Sequence, residues 1–260
     1  MKIEQFKETI KKLISDDDKP VVVFAAMWSF MKAWDIPAQD IPHRMLNVLM
    51  ETVGEKRSLV MPTETSGYKN GTFNLDEEPS QTGILSELFR KRPLTRRSLS
   101  AFFSHVISGP DTEELVSLQP EFAWGEGSVY EWMELKNVHF LMLGTHPTHC
   151  SYLHRMEWLN REHINYRYNK KFEGTLLREG KSFPIQETLY VRSLNPPVVN
   201  DFTVIYDDLK QGGMTVKMLD GVHVAHMRAI DMKEAYLPLL KKDPFLTVKN
   251  RADFERKSYV

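Results

Sequence analysis

The chain has almost no cysteine, no surplus of either charge and no long apolar run. One cysteine in 260 residues, Cys150, has nothing to pair with. A disulfide framework is therefore excluded, and a reducing, cytoplasmic setting is expected. The 34 Lys and Arg stand against 35 Asp and Glu, for a formal charge of -1. Without a global basic field, nucleic acid is not an expected partner. No stretch reaches the roughly 18–20 apolar residues of a membrane-spanning helix, so no membrane role is expected. The N-terminal MKIEQFKETIKKLI spaces Ile3, Phe6, Ile10 and Leu13 along one face of an amphipathic helix, and lacks the continuous apolar core of a leader. Repeats, low-complexity tracts and linkers are missing too. That leaves residues 1–260 as one domain, long enough to bury a sizeable core.

What is present is a strand–helix–strand rhythm. The opening helix is expected to end near Ser15–Asp18, and Val21-Val22-Val23-Phe24 follows as a short buried-strand run. Pro42 to Val53 sets Met45, Val48, Leu49 and Val53 on one side of a helix. Arg57 to Met61 reads as a second buried strand closed by Pro62. This order argues for an α/β fold with some parallel pairing. Residues 64–82 are polar and turn-rich, and are expected as a long loop of the kind that is functional or disordered. Thr82–Arg90 is expected as a helix capped by Thr82, Phe102–Ile107 as a strand and Asp111–Leu118 as a short helix. Ser128–Leu135 is expected as a helix capped by Ser128, running into a strand over 138–143. Beyond Arg167 the pattern predicts strands near 172–178, 187–194 and 214–219, and helices near 199–209 and 231–240.

The chemistry concentrates in Leu143–Arg167, LGTHPTHCSYLHRMEWLNREHINYR. His154 and Glu157, three positions apart, fall on one face of a helix and within reach of each other. Such a pair suits a general base: the carboxylate fixes the tautomer and stabilises the imidazolium. Other readings stay open. His146, His149, Cys150 and His154 are metal-ligand types, as in a metal hydrolase, although no standard zinc spacing is present. Cys150 near a helix start is a candidate nucleophile, with a half-buried structural thiol as the simpler reading. The histidines also fit a purely structural role near a helix start. Gly125-Glu126-Gly127-Ser128 offers backbone N–H groups to an anion, or makes an ordinary turn and N-cap. Arg90, Lys91, Arg92, Arg96 and Arg97 form a phosphate-holding cluster or a solvated face. Tyr166-Arg167-Tyr168 with Lys170 and Lys171 suits a sugar or nucleotide, and equally a half-exposed strand.

In this order the segments resemble the aminoglycoside 3-N-acetyltransferase family, acetyl-CoA-dependent enzymes unrelated to the GNAT fold. The resemblance spans roughly residues 20–240. It is carried by Val21 to Ser29, Met61-Pro62-Thr63, Gly83, Arg97-Ser98, Ser104, Gly109, Gly125 and Ser128. Further along come Leu143-Gly144, Ser151, Leu153, His154, Glu157, Gly212, Gly213 and Gly221. Tyr166 to Gly174 and Tyr190-Val191-Arg192 are similar to members found with genes for bacterial surface-polysaccharide sugars.

The resemblance implies an α/β/α sandwich around a mixed β-sheet, acetyl-CoA as donor substrate and no metal. It also implies direct transfer to a primary amine of an amino sugar, aminoglycoside-like or nucleotide-linked. The implied catalytic residues are His154 as base, Glu157 as its orienting partner, and Ser104 or nearby N–H groups for the oxyanion. Trp28, Ser29, Thr63, Arg97 and Ser98 would meet the donor. Tyr68, Glu126, Tyr166, Arg167 and Arg192 would meet the acceptor. An arginine at 192, with Arg167 and Lys170 nearby, suits an anionic acceptor such as a nucleotide-diphosphate amino sugar. Alternatively, Arg192 pairs with Asp201 or Glu187. The expected partner is a small-molecule amine, and a homodimer is admitted. Two departures from the family pattern stand out: the apolar Phe24-Ala25-Ala26-Met27-Trp28-Ser29, where hydroxyl and imidazole groups are usual, and Ser100-Ala101 in place of His-Pro. They motivate a second reading, a family member that binds ligand without catalysis.

Overall fold

A computed structural model describes residues 2–14, 17–68 and 70–255. Its strands are β1 Val21–Ala25, β2 Leu59–Pro62, β3 Thr72–Asn74, β4 Arg96–Arg97, β5 His105–Ser108, β6 His139–Leu143, β7 Arg167–Arg178, β8 Lys181–Arg192, β9 Thr215–Leu219 and β10 Val222–Arg228. Its helices are α1 Ile3–Leu13, α2 Ile41–Val53, α3 Ile84–Arg90, α4 Thr112–Ser117, α5 Val129–Leu135, α6 Leu153–Leu159, α7 Tyr206–Gln211, α8 Ala229–Lys242 and α9 Ala252–Glu255.

Seven strands form one sheet in the order β4-β5-β2-β1-β6-β10-β9. Its centre, β2-β1-β6, is parallel, and antiparallel strands flank it on both sides. Alternation along the central strands sorts side chains to two faces. Val21, Val23, Leu59, Met61, Leu141 and Leu143 pack under α1, α2 and α3 with Phe6, Ile10, Met45, Leu49 and Phe89. Val22, Phe24, Val60, Phe140 and Met142 pack under α5, α6 and α8 with Met133, Met156, Met232 and Tyr236. The result is an α/β/α sandwich around a mixed sheet. Burial on both faces is why β1, β2 and β6 from Phe140 onward are unbroken apolar runs.

The second sheet, β3-β7-β8, stands apart. β7 and β8 pair residue for residue from Arg167↔Arg192 to Arg178↔Lys181, and turn through Glu179 and Gly180, both at positive φ. Such two-residue turns match the twist of the strands they join. The expected strands at 172–178 and 187–194 are thus the outer parts of one longer hairpin. Its length was hidden because most of its side chains are exposed or half-buried, so no apolar alternation marks the pairing. Strand β10, VHVAHMR, was not anticipated, although it is the antiparallel neighbour of β6. The long loop over 64–82 carries the short β3.

Ser128 caps α5 as expected, accepting from the Glu131 N–H at 3.1 Å, while Glu131 Oε2 accepts from the Gly127 N–H at 2.7 Å. This reciprocal box consumes an N–H that an anion would need. Thr82 does not cap α3: Gly83 holds that position, and the Thr82 hydroxyl donates to the Pro62 carbonyl. The expected helix end near Ser15–Asp18 falls partly outside the described residues; α1 closes at Leu13.

Two histidines are held neutral by packing. His105 is fully buried; its Nδ1–H donates to the Phe103 carbonyl at 3.0 Å and its Nε2 has no partner. His226 donates from Nε2 to His139 Nδ1 at 2.8 Å, and His139 Nε2 in turn donates to Asp17 at 2.9 Å. Burial lowers both His105 and His226 to about 4. The unfolded chain takes up these protons from about pH 6.5 downward, whereas the folded chain resists until about 4. Stability contributed by these groups is therefore intact above about pH 6.5 and lost as pH falls toward about 4, by up to ~1.4 kcal/mol per pH unit for His105. Urea midpoints measured from pH 7 down to pH 5 are expected to fall, and His105→Phe should flatten that slope.

Candidate active site

In the central sheet the chain moves from β1 to β2 on one side and later returns to β6 on the other. Ligands of open α/β sheets bind outside the carboxyl ends of strands at such a reversal. Two turns meet there. Gly144, after β6, has φ 67°, and an added Cβ would lie 2.8 Å from both the Ala26 carbonyl oxygen and Ser29 Cβ. Ser29 Oγ donates to the Gly144 carbonyl at 2.6 Å and locks the turns together. Between them and the end of β2 opens a crevice of about 260 Å³, lined in part by Phe24, Glu64, Thr82, Thr145, His149 and Ser151.

The chain then enters α6, whose first turn carries His154. Its Nδ1 lies 2.6 Å from Glu157 Oε2. The same oxygen takes Arg167 Nη2 at 2.9 Å, and Glu157 Oε1 accepts from Tyr166 Oη at 3.1 Å. Arg167 Nη1 is held in turn by the Tyr190 carbonyl at 3.1 Å. Glu157 is completely buried. Burial alone would raise its carboxyl, but Arg167 and then His154 outweigh that and hold it below the usual range. An ionised Glu157 accepts from the Nδ1–H of His154, which leaves Nε2 with the lone pair. Arg167 Nη2 and His154 Nδ1, 3.1 Å apart, are then two donors converging on one oxygen. The imidazole keeps 29% of its side chain exposed. Trp124 and Phe202 stand edge-on to it, with centroids at 5.9 and 5.2 Å. The arrangement is a solvent-reached imidazole with a buried counter-charge.

The other expected site residues divide. Trp28, at the end of β1, is 73% exposed and free to meet a ligand, whereas the Ser29 hydroxyl is committed to Gly144. Thr63, Arg97 and Ser104 form a sealed knot. Arg97 donates to the carbonyls of Thr63 (2.6 Å) and Glu78 (2.7 Å) and to Ser104 Oγ (2.8 Å), and Ser104 Oγ donates to the Thr63 carbonyl at 3.0 Å. Ser98 is buried and accepts from the His105 N–H at 2.9 Å. These residues shape the loops beneath the site. Ser104, fully buried and satisfied by protein, is not placed to meet an oxyanion. Tyr68 likewise turns away, donating to Glu187 at 2.8 Å. Tyr166 and Arg167 stand behind Glu157, not in front of it. Glu126 and Arg192 are exposed; Arg192 reaches the Val198 carbonyl at 3.4 Å and pairs with neither Asp201 nor Glu187.

Around Cys150, burial pushes the thiol far up, as a structural role requires and a nucleophile does not. His146 hydrogen-bonds Thr148 at 2.8 Å, and among the described residues no three His, Cys, Asp or Glu side chains gather as a metal site. The basic cluster is spent locally: Arg90 and Lys91 on Glu87, Arg96 on Glu113 and Arg92 on Asn47. Glu64, Trp124, Tyr130 and Phe202 were not singled out from sequence, and Ser151 only as part of the family resemblance. The position of Glu64 just past a central strand was the one signal for it.

A family model for aminoglycoside 3-N-acetyltransferases matches residues 36–239. The chain belongs to this family. It is thus an N-acetyltransferase by kind, with acetyl-CoA as donor. The solved structure of the AAC(3)-IVa apoenzyme is 20% identical and covers 95% of this chain and 90% of its own, with a TM-score of 0.72. AAC-IIIb in binary complex with CoASH is 18% identical, covers 93% and 97%, and has a TM-score of 0.76. YokD from Bacillus subtilis is 17% identical, covers 93% and 94%, and has a TM-score of 0.74. At these identities the likeness is one of fold. Among curated proteins, none matches the sequence.

Because Arg167 is buried against Glu157, removing the carboxylate strands a charge. Glu157→Ala is expected to lose about 3–5 kcal/mol in a urea melt, and Glu157→Gln less.

Proposed function

We propose that this chain transfers the acetyl group of acetyl-CoA to a primary amine of an amino sugar, with His154 as general base and Glu157 as the group that orients it. One observation carries this reading: a part-exposed imidazole, its Nδ1 fixed by a buried carboxylate, follows three residues after Ser151, which lines the crevice at the carboxyl ends of the parallel strands. The amine nitrogen attacks the thioester carbonyl, His154 Nε2 takes the proton, and the imidazolium returns it to the departing thiolate. The products are an amide and CoASH. A base so placed contributes on the order of 10² to 10⁴ in rate. Holding both substrates together supplies about 7 kcal/mol or more in favourable cases.

Relatives inform the acceptor. AAC-VIa has been solved bound to sisomicin, and a histidine-to-alanine variant of AAC(3)-IVa in complex with a gentamicin. In this chain the arginines bear on the same question differently. Arg167 is committed to Glu157, so recognition of an anionic acceptor, such as a nucleotide-linked amino sugar, falls to the exposed Arg192 at the root of the hairpin. Trp28 offers an open aromatic face for the donor where hydroxyl groups are usual.

A thiol-release assay with acetyl-CoA, run over amino-sugar nucleotides and aminoglycosides, tests the reading. Turnover is expected with at least one amine. His154→Ala should lower kcat by on the order of 10² to 10⁴ while calorimetry shows acetyl-CoA still bound. Donor binding without thiol release on any amine would favour the ligand-binding alternative, and no donor binding would end the transferase account.

A further inference from the structure

Of the residues lining the crevice, Glu64 alone is acidic, and its surroundings are the opposite of those of Glu157. It sits two residues past β2. Among the described residues no lysine or arginine pairs with it, and its side chain accepts one long hydrogen bond, from Tyr130 Oη at 3.3 Å. The Ser151 hydroxyl stands beside it and, with Tyr130, favours the charged form without supplying a positive charge. The titratable groups around it are Tyr130 from α5, Cys150 and His154 from the segment after β6, and His149 on the crevice wall. None of them makes an ion pair with it. A carboxylate this poorly compensated favours its neutral form, and burial pushes Glu64 above the usual carboxyl range, outweighing the neighbouring hydroxyls and His154.

Two carboxyl groups whose environments drive them in opposite directions are a recurring sign of separate acid and base roles. Glu157 is the ionised one and serves the base. We propose that Glu64 is the neutral one, a carboxylic acid that donates a hydrogen bond to the thioester carbonyl of the bound donor and stabilises the oxyanion formed there. This rests on the donor occupying the crevice, as proposed above. In the step, the amine lone pair forms the new C–N bond and the carbonyl π electrons move to oxygen. That oxygen is held by the Glu64 O–H, whose proton stays on Glu64. His154 takes the proton from nitrogen. Collapse re-forms the C=O, breaks the C–S bond, and passes the proton from His154 to sulfur. Ser104, sealed behind Arg97, is replaced in this role by a group that lines the cleft.

Infrared difference spectra of carbonyl-labelled acetyl-CoA bound to the full chain test this without any acceptor. The bound carbonyl stretch should fall to lower frequency in the wild type and in Glu64→Gln, whose amide N–H also donates, and should return toward its solution value in Glu64→Ala. In the wild type the shift should vanish as rising pH ionises Glu64, and in Glu64→Gln it should persist. With an amine that supports turnover, Glu64→Ala should lose on the order of 10² to 10³ in kcat. An unchanged shift in Glu64→Ala, or a wild-type shift constant from about pH 5 to about pH 9, overturns the assignment while leaving the transferase reading intact. Failure of acetyl-CoA to bind at all overturns both.

Discussion

One buried anion, Glu157, holds the site and much of the molecule around it in register. A carboxylate taken wholly out of water survives only with strong partners. Here they come from three places: His154 one turn earlier on α6, Tyr166 after that helix, and Arg167 at the first residue of β7. The same contact therefore performs two tasks. It fixes the imidazole so that Nε2 carries the lone pair, and it anchors the root of the β7–β8 hairpin to α6 through the Arg167 guanidinium. A change that loosened the hairpin root would free a charge inside the protein. The imidazole is held in place because the partners that stabilise the buried carboxylate also fix the ring.

The sheet supplies the other half of the constraint. Parallel strands β2, β1 and β6 end together, and their order reverses around β1, so the turns after them diverge and leave a crevice. Gly144 lets the turn after β6 pass within contact of the turn after β1, and the Ser29 hydroxyl then joins them. This explains how the apolar Phe24–Ser29 segment keeps its shape without the hydroxyl-rich sequence usual in the family. Its one serine is spent on geometry, and its exposed side chain is an indole.

Sequence made the central strands legible because burial on both faces demands unbroken apolar runs, as in Val21–Phe24 and Phe140–Leu143. It made the His154–Glu157 pair legible because three residues along a helix is a local spacing. What it could not convey was which way side chains turn once the chain is folded. Arg97 and Ser104 have the residue types of a ligand-binding loop, yet they bond each other and Thr63 inside the protein. Tyr166 and Arg167 read as substrate contacts, and they bond the buried Glu157 instead. Strand β10 escaped notice because two histidines interrupt its apolar pattern; His226 lies among polar partners that only the folded sheet brings near. Glu64 looked like one polar residue of a long loop until burial gave it a character.

That character follows from comparing two glutamates a short way apart. If both were ionised, negative charge would face the cleft where a thioester oxygen must itself become negative, and the two would oppose the reaction. If both were neutral, the imidazolium formed when the amine loses its proton would have no counter-charge. The fold separates the cases by partners alone. Arg167 and Tyr166 stand behind Glu157, while a single long contact from Tyr130 reaches Glu64. The placement of Arg167 therefore keeps a cation beside Glu157, while Glu64 has none among the described residues.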